Sequence, residues 1–365
     1  RRTHKPEVSG SIPLPATILM KKIFSVVGIS LIFILLTDLL FGSYLLRFTP
    51  KKIDHTIGHN IYDHDLKKSF RANLEWAPGE TYLFCSNKNS FRTFCDKMDF
   101  ESKEFDIAFI GDSFTEGVGV NYEDTFVGRI ENNFDDLKIA NLGVVSYSPS
   151  IYFTKLRYLL ENGYKFKRVI IYFDISDIYD DNRKYKLIDD KISRKKSAIL
   201  SNIQRALKSS FPFLAYSTKV LKNNVFKKST DATNKCTYLD FCHEKSSWTF
   251  NNKFFGDKEI NKSLKFMEMT YELLQKNDIK MSVGIYPWPA QILHDNSQSK
   301  IVKLMNNFCV NKCEFFFNNF TDFFNEIIFT DKEKIISKYY IEGDVHFNSL
   351  GNEKIFKNFV RIFRN

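Results

Sequence analysis

The 365-residue sequence lacks the motifs that mark nucleotide-dependent and metal-dependent enzymes. It has no GxxxxGK[ST] phosphate loop, and Gly117-Val-Gly119 has no third glycine to complete a dinucleotide-binding fingerprint. Its six cysteines form no CxxC knuckle, and none of its seven histidines forms a helical i, i+4 pair beside a glutamate. We therefore expect chemistry that needs neither a cofactor nor a metal ion.

The charge pattern also lacks the features of a nucleic-acid-binding protein. Lysine and arginine outnumber aspartate and glutamate, which gives a net charge of +10. These basic residues form no cluster interleaved with stacking aromatics, and no nucleic-acid module is recognisable. The sequence therefore predicts a solvated basic surface, with affinity for anionic envelope polymers and no nucleic-acid partner.

One apolar segment near the N-terminus is long enough to span a bilayer. It covers residues 23–46 and follows Lys21 and Lys22. It is longer than the apolar core of a signal peptide, and no small-x-small cleavage site follows it, which favours an uncleaved single-pass anchor. The predicted organisation is an unstructured extension (1–19), a transmembrane signal anchor (20–46), a juxtamembrane stalk (47–104) and a main domain (105–365) with an insertion (178–256).

The cysteines fall into three close pairs, and local pairs after an export signal are typical of disulfides in an oxidising compartment. This predicts a protein of the bacterial cytoplasmic membrane whose main domain is periplasmic. A zinc site is the alternative, but the spacing does not favour it. The pairs are Cys85 with Cys95, Cys236 with Cys242, and Cys309 with Cys313.

A candidate nucleophile follows the first predicted strand of the main domain. Asp106–Ile110 is a short apolar run, and Gly111-Asp112-Ser113 comes directly after it. In open α/β sheets, ligands bind at the carboxyl ends of the strands, and a serine there becomes a nucleophile if a histidine reaches it. The simpler alternative is a strand followed by an Asp-Ser helix cap.

A candidate base lies near the C-terminus. Asp344 and His346 stand just before a segment whose apolar residues repeat at helical spacing. A carboxylate two residues from a histidine can orient the imidazole and stabilise its positive charge, as in a hydrolase triad. The alternative is an ordinary capping or surface histidine.

Between these motifs, short apolar runs alternate with helical patterns, which predicts a parallel sheet with right-handed crossovers. The clearest helices are predicted at Pro149–Asn162 and Asp257–Asn277. The strands are predicted at Asp106–Ile110, Lys138–Ala140, Arg168–Phe173, Lys280–Tyr286 and Cys313–Phe317.

With these residues in place, the chain from Phe105 onward resembles the SGNH (GDSL-type) hydrolase and acyltransferase superfamily. The matching blocks are Gly111-Asp112-Ser113, Asn141-Leu142-Gly143 and the Asp344–His346 pair. The family's Gly-x-Asn-Asp block corresponds to Asp174-Ile-Ser-Asp177, so that Ser176 occupies the slot of an oxyanion-binding asparagine. The resemblance implies a flavodoxin-like three-layer α/β sandwich with a central parallel sheet.

The resemblance also implies a catalytic set of Ser113, Asp344 and His346, and an oxyanion hole made by the N–H groups of Ser113 and Gly143 with the Ser176 hydroxyl. The expected activity is that of a serine esterase or O-acyltransferase acting on acylated envelope carbohydrate or on small esters. A membrane acyltransferase is an expected partner. The alternative from another class is a catalytically silent module that binds glycan or docks on such an acyltransferase.

Trp288 and Gln291 follow the strand at Lys280–Tyr286 and are candidates for the acceptor-binding site, because an aromatic face suits a sugar ring. A proline-stiffened turn with a half-buried tryptophan is an equally open interpretation.

Overall fold

The computed structural model describes residues 16–45, 70–76, 80–188, 191–194, 210–218, 245–251 and 255–364. The chain divides into two compact units. The smaller unit contains the helix Ala16–Leu45 and residues 210–218, which include the short helix 212–218, and the larger unit contains the other described residues.

The larger unit is built on a five-stranded, wholly parallel sheet. The strands of the described residues are β1 Arg71–Trp76, β2 Glu80–Cys85, β3 Glu104–Gly111, β4 Ile139–Asn141, β5 Lys165–Tyr172, β6 Tyr185–Ile188, β7 Lys191–Arg194, β8 Lys280–Ile285 and β9 Phe316–Asn318. The order in the parallel sheet is β4-β3-β5-β8-β9. The chain enters this sheet at β3, moves outward to β4, then reverses direction through β5, β8 and β9. The two-stranded sheets β1-β2 and β6-β7 are antiparallel.

Helices cover both faces of this sheet. Because crossovers between parallel strands are right-handed in nearly all proteins, the reversal of direction after β4 places the helices before and after it on opposite faces. Strands buried on both faces need continuous apolar runs, and Ile107 to Ile110 of β3 and Val169 to Tyr172 of β5 are fully buried. The fold is therefore the predicted flavodoxin-like three-layer sandwich. Its helices are Ser113–Glu116, Phe126–Asn133, Pro149–Glu161, Asp177–Arg183, Asp257–Lys276, Pro289–His294, Lys300–Cys309, Phe320–Ile327, Lys332–Tyr339 and Ser349–Phe363.

The predicted stalk does not extend over residues 80–104, because this segment is packed into the larger unit. Phe91 is buried in the main core, with its ring centroid 5.8 Å from that of Phe105. Cys85 and Cys95 form a disulfide that closes the loop between them. The larger unit therefore begins well before Phe105, and the part of the predicted stalk at 47–69 lies outside the described residues.

The insertion predicted at 178–256 is described only in parts. These are most of the helix Asp177–Arg183, the β6-β7 hairpin, residues 210–218 and residues 245–251. The Trp248 indole Nε1–H donates to Ile175 O at 2.9 Å, which ties the end of the insertion to the carboxyl edge of β5. The predicted pair Cys236 and Cys242 lies outside the described residues, whereas the Cys309–Cys313 disulfide is present.

Within the described residues, one helix is long and apolar enough to cross a membrane. The apolar segment Lys22–Leu45 spans 24 residues with a mean hydropathy of 2.5. Its large side chains are mostly exposed, among them Phe24, Phe33 and Leu40 at about 70%. Such a surface suits lipid and not water.

Candidate active site

Ser113 lies at the carboxyl end of β3, where the sheet edge opens. β3 ends at Gly111, and Asp112 caps the short helix Ser113–Glu116 by accepting a hydrogen bond from Phe114 N at 3.0 Å. Gly117 then ends the helix in the left-handed region, with φ +82°, which glycine adopts at least cost. The Gly-Asp-Ser sequence thus presents the hydroxyl at the first position of a helix.

The fold brings His346 and Asp344 to this serine across 233 residues of chain. His346 Nε2 lies 2.7 Å from Ser113 Oγ, and His346 Nδ1 lies 2.5 Å from Asp344 Oδ1. An ionised carboxylate accepts only, so Nδ1 carries the proton and Nε2 is left to accept from the serine hydroxyl. The three side chains form a continuous Ser–His–Asp hydrogen-bonded chain.

Asp344 is held in its charged form. Burial alone would favour the neutral acid, but the nearby His346 ring and its hydrogen bonds outweigh that effect and keep the pKa of Asp344 below its usual value. The backbone N–H of His346 also donates to Asp344 Oδ1 at 2.9 Å. A negative carboxylate in this position stabilises an imidazolium that forms on His346.

The three predicted oxyanion donors differ in whether they already make a hydrogen bond within the protein. Among the described residues, nothing accepts a hydrogen bond from the backbone N–H of Ser113, which is an open donor at a helix start. The Gly143 N–H is engaged, because it donates to Asn141 Oδ1 at 3.0 Å. The Ser176 side chain is nearly buried and caps no amide of the helix Asp177–Arg183. Only one of the two predicted backbone donors is therefore open in this structure.

Gly143 has a packing reason to be glycine. A Cβ atom there would lie 2.5 Å from Glu116 N and 2.7 Å from Thr115 C, closer than real contacts allow. The loop after β4 therefore packs backbone to backbone against the Ser113–Glu116 helix. This close approach fixes the loop beside Ser113.

The candidate acceptor residues Trp288 and Gln291 are not open to a ligand. Trp288 is 3% exposed, and its Nε1–H donates to Asp174 Oδ2 at 2.8 Å. Gln291 is fully buried, and its amide donates to Ser246 O at 2.9 Å and Thr249 Oγ1 at 3.0 Å. These side chains hold internal segments together, and their predicted role in substrate binding does not fit their burial.

A buried group of carboxyls next to Ser113 is absent from the sequence-based expectations. Burial, reinforced by the charge of Asp174, raises the pKa of Asp112 well above its usual value, and the same two causes raise that of Asp177. Tyrosine hydroxyls donate to both: Tyr286 to Asp112 at 3.2 Å and Tyr152 to Asp177 at 3.1 Å. The only hint in the sequence is the run of aspartates after β5.

Arg92 is a second feature that the motifs do not reveal. Its buried guanidinium donates to the carbonyls of Glu116, Gly117 and Val120, all shortly after Ser113 in the chain. Arg92 also lies within the loop closed by the Cys85–Cys95 disulfide. A loop that precedes β3 in the chain thus holds the backbone that follows Ser113.

Several solved structures of other proteins resemble this chain. No protein-family model and no curated protein matches the chain. The larger unit resembles GDSL-type lipolytic proteins. A member of the lipolytic G-D-S-L family from Veillonella parvula is 11% identical, with a TM-score of 0.40, covering 72% of this chain and 98% of its own.

Two esterases give similar values. The psychrotrophic esterase EstA from a Pseudoalteromonas species is 11% identical, with a TM-score of 0.38, covering 72% of this chain and 97% of its own. A catalytic mutant of the acetylxylan esterase Axe2 from Geobacillus stearothermophilus is 12% identical, with a TM-score of 0.39, covering 70% of this chain and 93% of its own. At such identities and TM-scores, function has to be argued from the side chains of this chain itself.

Proposed function

We propose that this chain is a serine esterase or O-acyltransferase that works through an acyl-enzyme on Ser113. The observation that carries the proposal is the chain of contacts from Ser113 Oγ through His346 to Asp344, with N–O distances of 2.7 Å and 2.5 Å. A serine hydroxyl is a weak nucleophile at neutral pH, and a histidine within hydrogen-bond reach is the usual means of activating it.

In the proposed reaction, Ser113 Oγ bonds to the ester carbonyl carbon while His346 Nε2 takes the hydroxyl proton. The C–O bond to the leaving alcohol then breaks, and His346 returns the proton to that alcohol. Water or an acceptor hydroxyl next attacks the acyl-serine carbonyl carbon while His346 takes its proton. The bond from that carbon to Ser113 Oγ then breaks, His346 returns the proton to Oγ, and the product is a free acid or a new ester. Asp344 stays ionised throughout and orients the imidazole.

The oxyanion of the proposed reaction has three candidate hydrogen-bond donors. The open Ser113 N–H supplies one donor, and the Ser176 hydroxyl is the candidate for a second. The Gly143 N–H joins them only if the substrate oxygen displaces or shares its bond to Asn141 Oδ1. Each such donor contributes about 10²–10³ in turnover.

The proposed substrates are O-acyl groups, acetyl above all, on envelope carbohydrate, with small soluble esters as a simpler class. The two-residue spacing of Asp344 and His346, which resembles that of sugar-modifying SGNH enzymes of the cell envelope, motivates the carbohydrate. The apolar N-terminal helix and the two disulfides support a membrane-anchored protein whose larger unit is periplasmic. A membrane acyltransferase that passes acyl groups to Ser113 is the proposed partner.

A fluorophosphonate probe tests the nucleophile directly. We expect the parent chain to be labelled at Ser113, Ser113→Ala to remain unlabelled, and His346→Ala to label far more slowly because the base is gone. Asp344→Asn should fall between the two, since the imidazole loses its orientation and keeps its nitrogen. Matched controls are Ser337→Ala and His294→Ala, at exposed positions, which should label like the parent.

The same experiment decides the alternative of a silent binding module. The engaged Gly143 N–H and the serine at position 176 favour that alternative, because both weaken an oxyanion hole. No labelling of the parent at Ser113, with no more esterase activity in the parent than in Ser113→Ala, would favour it. If Ser113 is labelled, intact mass after incubation with an acetyl ester, with and without a glycan acceptor, separates hydrolysis from transfer.

A further inference from the structure

The apolar helix Ala16–Leu45 contains one buried carboxylate, Asp38, which is 4% exposed. Its two oxygens accept hydrogen bonds from the backbone N–H groups of Phe213 at 3.0 Å and Leu214 at 2.8 Å. These residues belong to the insertion and begin the short helix 212–218. An ionisable residue within a membrane-spanning helix is costly unless it is paired, and these two amides supply the pairing.

The residues around Asp38 leave room for this segment to pack closely against the helix. Gly42 lies one helical turn after Asp38, and a Cβ atom at Gly42 would clash with Asp38 Oδ1 and lie 3.1 Å from Pro212 Cγ. Pro212 starts the short helix, where a missing N–H costs nothing. Glycine at position 42 and proline at position 212 thus allow the two backbones to approach.

The docked segment has the composition of a membrane-interface element. It reads Ser210-Phe-Pro-Phe-Leu-Ala-Tyr-Ser-Thr218, with two phenylalanines and a tyrosine between polar ends, and Leu214 is 37% exposed. Aromatic residues concentrate where the apolar and polar layers of a bilayer meet. Asp38 is seven residues from the end of the span at Leu45, about 10 Å at 1.5 Å per residue, which places it toward that boundary.

From these observations we propose that residues 210–218 form a second membrane contact of the chain, an interfacial segment seated on the anchor helix and fixed there by Asp38. Its partner is the lipid bilayer at the level where acyl chains meet headgroups. The insertion after β5 is therefore a membrane-bound strap as well as a connection within the larger unit. This inference is independent of the proposed esterase chemistry.

Tryptophan fluorescence in lipid nanodiscs tests the contact on the full chain. Leu214→Trp adds a reporter to a protein with three native tryptophans, whose signal is subtracted using the parent chain. We expect the reporter to be quenched by lipids brominated near the headgroup end of the acyl chain and shielded from aqueous acrylamide. Quenching by acrylamide alone would overturn the membrane contact.

Matched substitutions in the anchor helix then test the role of Asp38. Asp38→Ala and Gly42→Leu should abolish lipid quenching of the reporter, the first by removing the acceptor and the second by filling the docking surface. Asp38→Asn, which keeps one oxygen acceptor, should retain part of it. Asp38→Ala makes the helix more apolar, so failure to insert into the membrane would not explain its effect.

Two controls lie in the same helix. Gly28→Leu adds the same bulk where a Cβ meets nothing within 4 Å, and Thr37→Ala removes a hydroxyl that bonds only within the helix, to Phe33 O at 2.8 Å. Both should leave the quenching unchanged. Lipid quenching that survives intact in Asp38→Ala and Gly42→Leu would refute the docking mechanism.

Discussion

By the resemblance to SGNH enzymes, Ser176 corresponds to an oxyanion-binding asparagine. Its hydroxyl caps no amide of the helix Asp177–Arg183. We predict that Ser176→Ala lowers kcat by about 10²-fold with little change in KM, because the bond strengthens only as charge develops on the substrate oxygen. Steady-state kinetics with an acetyl ester provides the measurement.

Two further variants sharpen this prediction. Ser176→Asn should restore part of the rate, since the amide N–H₂ is a donor of greater reach. Ser282→Ala removes another buried serine, from the interior of β8, and should leave kcat unchanged. A normal kcat in Ser176→Ala would leave the Ser113 N–H as the principal oxyanion donor.

Glu116 is the last residue of the helix Ser113–Glu116, and its pKa lies close to neutral pH. Burial raises its pKa to about 7, despite the opposing charge of Arg92 and a hydrogen bond from Val145 N at 3.1 Å. The folded chain therefore binds this proton more tightly than the unfolded chain, whose glutamate titrates near its usual value of 4.5. Stability is full below about pH 4.5 and falls as the pH rises to about 7, by roughly 3 kcal/mol.

Glu116→Gln should remove this contribution, because an amide keeps the acceptor for Val145 and has no proton to lose. We expect the variant to unfold at higher temperature than the parent at pH 8 and at about the same temperature at pH 4.5. The measurement is the difference in thermal unfolding temperature between the two chains across this pH range. The other buried carboxyls contribute equally to both chains, so their effect cancels in this difference. A difference that does not vary with pH would contradict the assignment.

At the scale of elements, the loop closed by Cys85–Cys95 supports the backbone after Ser113 through a single side chain. Arg92→Ala would leave three carbonyls without their donor, and we expect a loss of about 3 kcal/mol or more in unfolding free energy. Arg92→Lys keeps the charge without the planar fork and should recover only part of it. Arg364→Ala, which removes an exposed arginine, is the control, and denaturant unfolding is the measurement.

A positioning role for Arg92 would also appear in the kinetics. At a temperature where Arg92→Lys is fully folded, we expect kcat to fall more than KM changes, because the backbone beside the nucleophile is displaced. Equal unfolding free energies for parent and Arg92→Ala would show that the three hydrogen bonds contribute nothing.

The elements that the sequence predicts well are those with local signals. A short stretch of sequence is enough to recognise the apolar runs of β3 and β5 and the apolar spacing of the helix Ser349–Phe363. The predicted ends of the two strands agree with the observed ends to within a few residues. The proximity of Ser113 and His346 follows from parallel topology, because both segments reach the same edge of the sheet.

Other features depend on contacts between distant segments, which no local pattern encodes. Residues 80–104 read as a polar stalk because their burial relies on Phe105 and on the turn after Ser113. Gln291 reads as a ligand-facing residue because its partners, Ser246 and Thr249, lie more than 40 positions away. The hydrogen bond from Gly143 N–H to Asn141 Oδ1 is local, but the sequence alone does not indicate in which direction the Gly143 N–H points.

At the scale of the whole molecule, the apolar helix and the disulfides make one joint prediction. The larger unit should lie on the far side of the cytoplasmic membrane, so that protease added to spheroplasts degrades it, while intact inner-membrane vesicles of inverted orientation protect it. Non-reducing peptide mapping should recover Cys85–Cys95 and Cys309–Cys313 as linked peptides, each loop closure contributing roughly 2–3 kcal/mol. Free thiols at these positions in the mature protein would place the unit in a reducing compartment instead.

Because the chain divides into two units, release of the larger unit from a membrane by proteolysis should need more than one cut. The chain enters the larger unit once after the anchor helix, leaves it for the segment that contains residues 210–218, and returns. Three covalent crossings therefore join the units where an ordinary anchored enzyme has one. A single proteolytic cut between residues 46 and 70 should not release the larger unit, because the insertion still holds it to the anchor helix through the amides at Asp38. Soluble product should appear only after two further cuts, one on each side of residues 210–218, and Asp38→Ala should make the first cut sufficient.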